Sequence, residues 1–255
     1  MKKYIIFIDV DGTLVTSGTH LMDKKIPQMF EKVQKQGHIV VVVTGRCLES
    51  TFRIKGIEKA QYICGLMGCV VVDGKTKKKI TNPTPMDKQA VKNFVNDING
   101  AGYKWTYKDD FYEKTTFNDD TILKKYSAKL VSVSEQTKDI ESGNIFQLLV
   151  DGELSQDIIT KYSMFDYFNM PTGYYDVTLK GVSKANVVEY FKKLYPEHTS
   201  VAIGDSNNDL PMFKNCEIKI AMGNSKEDIK KVATYITKDL KECGVCYAIE
   251  EILKI

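Results

Sequence analysis

Histidine and tryptophan are scarce in this chain of 255 residues, which has three of the first and one of the second. The histidines, His20, His38 and His198, are predicted to lie in loops or at the start of strands, away from every acidic motif. Histidine is the side chain most often used for general acid–base chemistry at neutral pH. Any such chemistry in this chain must therefore use carboxylates.

Long apolar runs are also missing. No stretch approaches the ~20 apolar residues of a membrane-spanning helix, and Met1–Lys3 leads into a strand and not into a signal sequence. The six cysteines include Cys243 and Cys246 at a redox or metal spacing, but no second pair with zinc-like spacing accompanies them. We therefore expect a cytoplasmic protein without a membrane partner, whose cysteines stay reduced.

Strong charge of one sign is lacking too, because the formal net charge is only +3 and the basic residues are dispersed. The one basic run, Lys75–Lys79, follows an Asp-Gly pair and is predicted to form a solvated hairpin turn. No basic stripe or aromatic platform accompanies it. The sequence therefore argues against nucleic acid as a partner.

Three apolar strands are predicted to end in polar residues. The strands and the residues that follow them are Tyr4–Ile8 with Asp9 and Asp11, Ile39–Val43 with Thr44, Gly45 and Arg46, and Val201–Ile203 with Asp205, Asn208 and Asp209. Continuous apolar runs of this length are typical of strands buried on both faces of a parallel sheet. Ligands bind at the carboxyl ends of such strands, so these polar residues should converge on one cleft.

The pattern of apolar and polar residues changes twice along the chain. A predicted helix over 23–36 joins the first two strands as a βαβ unit. Two prolines, Pro83 and Pro85, then mark a linker, after which strands are shorter and alternate in polarity until about residue 180. We predict an α/β fold with a Rossmann-like parallel-sheet core in 1–81 and 179–255. An inserted α+β domain in 82–178 should hold an antiparallel sheet with one exposed face.

Four carboxylates without histidine or cysteine are typical of a hard-oxygen metal site. Such a site selects Mg²⁺, which commonly acts with phosphate substrates. Thr44 and Gly45 could offer a hydroxyl and backbone N–H groups to an anion. An isolated Asp-Gly can also simply begin a turn, and on spacing alone Lys184 could be a solvated surface lysine.

Four motifs in order carry a resemblance to a known family. They are Asp-x-Asp-Gly-Thr at 9–13, Thr-Gly-Arg at 44–46, Gly-Val-Ser-Lys at 181–184 and Gly-Asp-x-x-Asn-Asp-x-x-Met at 204–212. With them, the whole chain resembles the haloacid dehalogenase-like phosphatases of the Cof type, which have a large type II cap. Met67 stands where relatives commonly have asparagine, a departure that would remove one polar contact.

The resemblance implies a role for each matched residue. Asp9 would be the nucleophile that becomes an aspartyl-phosphate, and Asp11 would be the general acid and base. The Mg²⁺ ligands would be Asp9, the Asp11 carbonyl, Asp205 and Asp209. The phosphate-binding residues would be Thr44, Gly45, Asn208 and Lys184. Arg46 would contact either the substrate or a neighbouring acid.

The expected function is Mg²⁺-dependent hydrolysis of a small phosphate ester. By resemblance, sugar phosphates come first, with pyridoxal phosphate and flavin mononucleotide as other candidates. A phosphosugar mutase and a phospho-accepting signalling module are the alternatives, but Asp11 and the long insertion disfavour the second. The sequence leaves the oligomeric state open and is compatible with a monomer.

Overall fold

The fold was analysed in a computed structural model, which describes residues 2–126, 128–170 and 173–255. It contains two compact units. The first extends to Arg46 and continues in Thr51–Asn82 and Ser183–Ile255, while the second comprises Cys47–Ser50 and Pro83–Val182. Among the described helices, none combines the length and the apolar character that a membrane crossing needs. The predicted domain boundaries after residues 81 and 178 stay a prediction.

The strands are numbered here in chain order. They are β1 (Tyr4–Ile8), β2 (Ile39–Val43), β3 (Tyr62–Gly65), β4 (Val70–Asp73), β5 (Lys104–Lys108), β6 (Glu113–Thr115), β7 (Lys129–Leu130), β8 (Gln147–Asp151), β9 (Phe165–Met170), β10 (Tyr174–Leu179), β11 (Thr199–Gly204), β12 (Ile218–Ala221) and β13 (Tyr235–Ile236).

The α-helices are numbered in the same way. They are α1 (Lys25–Lys35), α2 (Leu48–Phe52), α3 (Lys88–Gly100), α4 (Asp120–Tyr126), α5 (Val133–Ser142), α6 (Gln156–Lys161), α7 (Lys184–Leu194), α8 (Leu210–Asn215), α9 (Glu227–Val232) and α10 (Gly244–Tyr247). The sequence pattern also predicts a helix over 119–127; α4 lies within this range, and residue 127 is outside the described residues.

The first unit is organised around a sheet in the order β13-β12-β11-β1-β2-β3-β4. All its strand pairs are parallel except β3 with β4. The link between those two is the four residues 66–69, which include a tight turn at Leu66–Gly68, and so short a connection cannot make a parallel crossover. The predicted α/β fold with a Rossmann-like core is confirmed, with one antiparallel strand at its edge.

The centre of this sheet is formed by the apolar runs that the sequence singled out. Every residue of β2 is buried, and so is all of β1 after Tyr4. One face of α1 is apolar, and its Ile26, Met29, Phe30 and Val33 are buried. Burying a side chain of this size stabilises the fold by about 1.5–3 kcal/mol. The strand ends beyond this core are therefore held on a rigid base.

The second unit contains a sheet in the order β7-β6-β5-β8-β10-β9, whose pairs are antiparallel except β6 with β7. Its apolar core includes Trp105, Leu148 and Val177 together with Phe94 of α3 and Ile140 of α5. Several of the aromatic residues in this part of the sequence therefore belong to its core.

One expectation for this second sheet is wrong. The polar residues that alternate with its core residues should be exposed, but Lys108, Gln147 and Asp176 are almost fully buried. They bond to one another, since Gln147 Nε2 donates to Asp176 Oδ1 at 2.7 Å and Lys108 Nζ donates to Gln147 Oε1 at 3.4 Å. Buried polar groups need such partners, because an unpaired one is costly.

The expectation that all six cysteines stay reduced is also wrong for one pair. Cys243 and Cys246 are joined by a disulfide across a Cα–Cα distance of 5.4 Å. The backbone at Cys243 is left-handed, with φ of 53°, and this turn brings the two side chains together. Cys47, Cys64, Cys69 and Cys216 remain thiols.

Candidate active site

The site lies at the carboxyl edge of the first unit's sheet. In the parallel register, Ile8 of β1 is aligned with Ile203 of β11 and with Val42 of β2. The residues that follow these strands therefore reach the same edge. Asp9 continues the pairing, because its N–H donates to the carbonyl of Ile203 at 3.0 Å. The register thus places Asp9, Thr44 and Asp205 after neighbouring strands at this one edge.

Three carboxylates form a close group at this edge. Asp9, Asp205 and Asp209 each place one oxygen within 4.8 Å of the others. Asp9 is 3% exposed and Asp209 is fully buried, whereas Asp205 is partly exposed. Buried anions this close repel strongly unless a cation lies between them. The group could therefore hold a divalent cation.

A buried lysine supplies part of the balancing charge. Lys184, which has no exposed surface, donates from Nζ to Asp9 Oδ1 at 2.5 Å and to Asp209 Oδ1 at 2.7 Å. It is the first residue of α7, whose N-cap Ser183 accepts the N–H of Ala185. The cap fixes where the helix begins, and so where the lysine enters the site. The alternative of a solvated surface lysine is excluded.

The carboxylates are positioned by hydrogen bonds. Asp209 Oδ2 accepts the backbone N–H groups of Asp205 at 2.9 Å and Ser206 at 3.0 Å. Thr13 Oγ1 donates to Asp205 Oδ1 at 3.1 Å. Asp209 therefore has both oxygens engaged by the protein, whereas the bonds described for Asp205 leave it more open to a cation.

Two glycines give these carboxylates their space. A Cβ on Gly12 would lie 2.3 Å from Asp205 Oδ2, and one on Gly204 would lie 2.5 Å from the carboxyl carbon of Asp209. Gly12 also has φ of +84°, a conformation that other residues rarely adopt. Glycine at position 12 therefore lets the loop after β1 approach Asp205, and glycine at position 204 lets the segment after β11 fold Asp209 back against the end of its own strand.

The electrostatics of the group show an excess of negative charge. Burial, followed by repulsion from Asp209, raises the pKa of Asp9 well above its usual range, although Lys184 acts in the opposite direction. The same two causes raise the pKa of Asp205 to about 7. Burial alone would lower the pKa of Lys184, but Asp209 and Asp9 more than offset it, and the pKa is raised. One lysine does not neutralise three carboxylates.

Asp11 lies apart from this group and is paired with Arg46. The guanidinium donates from Nε to Asp11 Oδ2 at 2.8 Å and from Nη2 to Oδ1 at 2.6 Å. Nη2 also donates to the carbonyl of Thr19, and Gly18 N–H donates to Asp11 Oδ1. Of the two contacts predicted for Arg46, the structure shows the neighbouring acid. Because both oxygens of Asp11 accept from the arginine, this pair must open before Asp11 can donate a proton.

The other predicted phosphate-binding residues surround the strand ends. Thr44 is buried, and its Oγ1 accepts the N–H of Arg46 at 3.1 Å, which leaves the hydroxyl proton for another acceptor. Gly45 is partly exposed between them. Asn208 is 7% exposed and accepts from Ser206 Oγ at 2.7 Å through its Oδ1. Their binding roles stay predictions.

Sequence reasoning assigned no role to two residues that support the site. Thr13 belongs to the first motif, and its hydroxyl proved to hold Asp205. Asn224 lies in the loop after β12 and donates from Nδ2 to the carbonyl of Gly12 at 2.8 Å. Asn224 could have been identified from its position, because it lies just beyond the carboxyl end of a fourth parallel strand.

Met67, the departure from the family pattern, is fully buried in a left-handed conformation with φ of 58°. Its N–H donates to the carbonyl of Thr44 at 3.0 Å. Asparagine tolerates this conformation better than most residues. The methionine therefore keeps the backbone bond to the Thr44 loop, while its side chain packs inside the unit.

Comparisons with known proteins agree with this geometry. The haloacid dehalogenase-like hydrolase family matches residues 6–249. "Putative phosphatase YkrA" of Bacillus subtilis is 27% identical over 99% of this chain and 98% of its own length. A phosphoglycolate phosphatase of Nitrosopumilus maritimus is 23% identical over 100% of this chain and 98% of its own length.

A solved structure shares the whole fold. It is that of the subclass IIB sugar phosphatase BT4131, with a TM-score of 0.82 and 20% identity, covering 99% of this chain and 100% of that one. The family match spans both units and contains every residue of the carboxylate group. We conclude that this chain belongs to the haloacid dehalogenase-like hydrolases and is a phosphatase of that family.

Proposed function

We propose that this phosphatase hydrolyses a small phosphorylated metabolite, a sugar phosphate, in the cytoplasm. The observation that carries the proposal is the buried Lys184 held between Asp9 and Asp209, with Asp205 beside them. Phosphoryl transfer depends mainly on positioning and on neutralising charge. Similarity to a sugar phosphatase supports the substrate class. We further propose that the second unit is the cap that selects the substrate.

Asp9 is the proposed nucleophile. A carboxylate oxygen attacks phosphorus, the bond from phosphorus to the substrate oxygen breaks, and an aspartyl-phosphate forms. Lys184 balances negative charge beside the attacking group. Burial, followed by repulsion from Asp209, raises the pKa of Asp9, and a bound cation would relieve that repulsion.

Asp11 is the proposed general acid and base. After release from Arg46, it gives a proton to the leaving oxygen and later takes one from the water that cleaves the aspartyl-phosphate. Thr44, Gly45 and Asn208 are proposed to hold the phosphate oxygens.

The carboxylate group fits Mg²⁺, because its donors are all oxygens and its negative charge exceeds that of Lys184. Asp9, Asp205, Asp209 and the carbonyl of Asp11 are the proposed ligands. When bound, Mg²⁺ would neutralise charge on the phosphate and on these carboxylates.

Magnesium should stabilise the protein more at pH 8 than at pH 6. The pKa of Asp205, raised to about 7, lies above the ~3.9 of an unfolded aspartate. In the metal-free protein, this group's contribution to stability is therefore lost as pH rises through about 7. A cation replaces the proton, so saturating Mg²⁺ should raise the Tm by about 5 °C at pH 8 and by clearly less at pH 6.

Differential scanning fluorimetry with EDTA or Mg²⁺ at both pH values measures this effect. Asp205→Asn should lose most of the Mg²⁺ response and its pH dependence, while the exposed Asp228→Asn should behave as wild type. Equal Mg²⁺ shifts at both pH values in wild type, or a full response in Asp205→Asn, would contradict the proposed site.

The substrate class can be tested with a panel of phosphate esters. We expect Mg²⁺-dependent phosphate release, with kcat/KM about tenfold higher for the best sugar phosphate than for phosphoglycolate, pyridoxal phosphate or flavin mononucleotide. A phosphate assay with EDTA controls measures this. A non-sugar as best substrate would refute the class, and no Mg²⁺-dependent release from any ester, p-nitrophenyl phosphate included, would refute the hydrolysis. An isomerised sugar without free phosphate would favour a mutase.

A further inference from the structure

The pair Cys243 and Cys246 is not used by the proposed chemistry. The two residues flank Gly244 and Val245 at the start of α10. They are joined by the one disulfide found among the described residues. Both side chains are mostly buried, with residue exposures of 8% and 6%. A bridge across only two residues constrains a single local turn.

The remaining cysteines are poorly suited to disulfide chemistry. Burial raises the pKa of Cys64 well above its usual range, that of Cys69 to about 11 and that of Cys216 to about 12. Burial also raises the pKa of Cys47. The thiolate is the form that exchanges with disulfides, so these four thiols are slow to react at neutral pH.

A cavity gives access to the disulfide. It has a volume of about 200 Å³, and its lining includes Cys243, Gly244, Lys241, Thr13 and Asp23. Because Cys243 is part of the lining, this cavity is the route by which a small thiol would reach the bridge, and Lys241 adds a positive charge to the same lining, which favours a thiolate.

Hydrogen bonds connect this turn with the candidate active site. Leu240 N–H donates to Asn224 Oδ1 at 3.0 Å, and Asn224 Nδ2 donates to the carbonyl of Gly12 at 2.8 Å. Thr13, which lines the cavity, holds Asp205 through its hydroxyl. Through Asn224, the segment that precedes the disulfide is thus hydrogen-bonded to the loop between Asp11 and Thr13.

We propose that Cys243 and Cys246 form a reversible dithiol–disulfide site that tunes cation binding at the carboxylate group. A low-molecular-weight thiolate attacks Sγ of Cys243, the Cys243–Cys246 bond breaks, and Cys246 leaves as a thiolate that takes up a proton. A second small thiolate then attacks the sulfur of the bound small thiol. This releases the small-molecule disulfide and leaves Cys243 as a thiolate, which is protonated. Two small thiols are thereby oxidised as the protein disulfide is reduced, and the reverse exchange restores the bridge.

Reduction releases the constraint on the turn at the start of α10. The segment around Leu240 can then move more, which weakens the hydrogen bonds from Leu240 to Asn224 and from Asn224 to Gly12. The loop at Gly12 is therefore less well fixed beside Asp205. The reduced protein should therefore need about three- to tenfold more Mg²⁺ for half-maximal thermal stabilisation than the oxidised protein. This second part rests on the proposed Mg²⁺ site, whereas the exchange itself does not.

The exchange is tested on the full chain by equilibration with glutathione at a series of thiol-to-disulfide ratios, alkylation and mass spectrometry of intact protein and peptides. We expect one reversible bridge, in the peptide that contains residues 243–246. Cys243→Ser and Cys246→Ser should each abolish it, and the matched control Cys216→Ser should retain it. Free alkylation of both cysteines at every ratio, or a bridge elsewhere, would overturn the proposal.

The link to the metal site is tested by Mg²⁺ titrations of the oxidised and reduced forms, read by thermal shift. Asn224→Ala should form the disulfide normally but lose the difference between the forms. Equal Mg²⁺ midpoints for both forms of wild type would overturn the coupling while leaving the exchange site in place. Because neither readout uses phosphate release, failure of the proposed phosphatase reaction would be recognised separately.

Discussion

Replacing Asp9 with asparagine should abolish phosphate release without unfolding the protein. The amide is a far weaker nucleophile than the carboxylate, and loss of the nucleophile should lower kcat by a factor of about 10⁴ or more. Burial and Asp209 raise the pKa of Asp9, so the charged form is unfavourable in the metal-free fold. Removing that charge should leave the Tm in EDTA unchanged or higher. Steady-state kinetics and thermal unfolding together measure the two effects.

The matched control for this substitution is Asp228→Asn. Asp228 is an exposed residue in the first turn of α9, so the same chemical change there should alter neither kcat nor Tm. Turnover by Asp9→Asn within tenfold of wild type would contradict the nucleophile role. A large loss of Tm would show that the variant reports on folding and not on chemistry.

Replacing Lys184 with methionine should strongly destabilise the metal-free protein. Methionine keeps much of the side chain's volume but leaves Asp9 and Asp209 buried without their cation. Removing one partner of a buried ion pair commonly costs about 3–5 kcal/mol. We expect the metal-free variant to lose about that much in free energy of unfolding, and Mg²⁺ to recover part of it. Urea denaturation in EDTA and in Mg²⁺ measures both quantities.

Two further variants make the Lys184 result specific. Lys193→Met is on the same helix but exposed, and it should change stability by less than about 0.5 kcal/mol. Adding Asp209→Asn to Lys184→Met removes one of the buried carboxylates that have lost their cation. The double variant should therefore be more stable than Lys184→Met alone. A loss below about 1 kcal/mol for Lys184→Met would contradict the buried pairing.

The sequence was most informative where apolar runs end in polar residues. Ile39–Val43 matches β2 at both ends, and the short run Ile218–Ala221, whose pattern likewise predicts a strand, is β12. Such runs fit only the interior of a sheet, because they have no polar face to give to solvent. For the same reason, the strand ends after β1, β2 and β11 could be placed at one edge before the structure was known.

Elements with weaker patterns were missed. Helix α5 buries only Gln136 and Ile140, so it lacks the apolar stripe that marks a helix. Strand β9 has aromatic and polar residues on both faces, and β10 is placed by its pairing with both β8 and β9. Pairing partners and buried polar faces are set by tertiary structure, which local patterns do not contain.

The same limit applies to individual site residues. Lys184 lies 175 positions from Asp9 in sequence, and nothing in its neighbours indicates that it is fully buried. Only the resemblance to a known family assigned it to the site. The pairing of Arg46 with Asp11 and the bond from Asn224 to Gly12 depend on loop geometry. No periodicity could have predicted them.

The most direct test of the account is to trap the phosphoryl-enzyme. The protein is mixed with a ³²P-labelled sugar phosphate and Mg²⁺, quenched in acid within milliseconds, and the labelled peptide is identified by mass spectrometry. We predict a label on Asp9 that requires Mg²⁺, is released by hydroxylamine and is absent from Asp9→Asn. Turnover without any label, or a label on another residue, would contradict the proposal that Asp9 accepts the phosphoryl group.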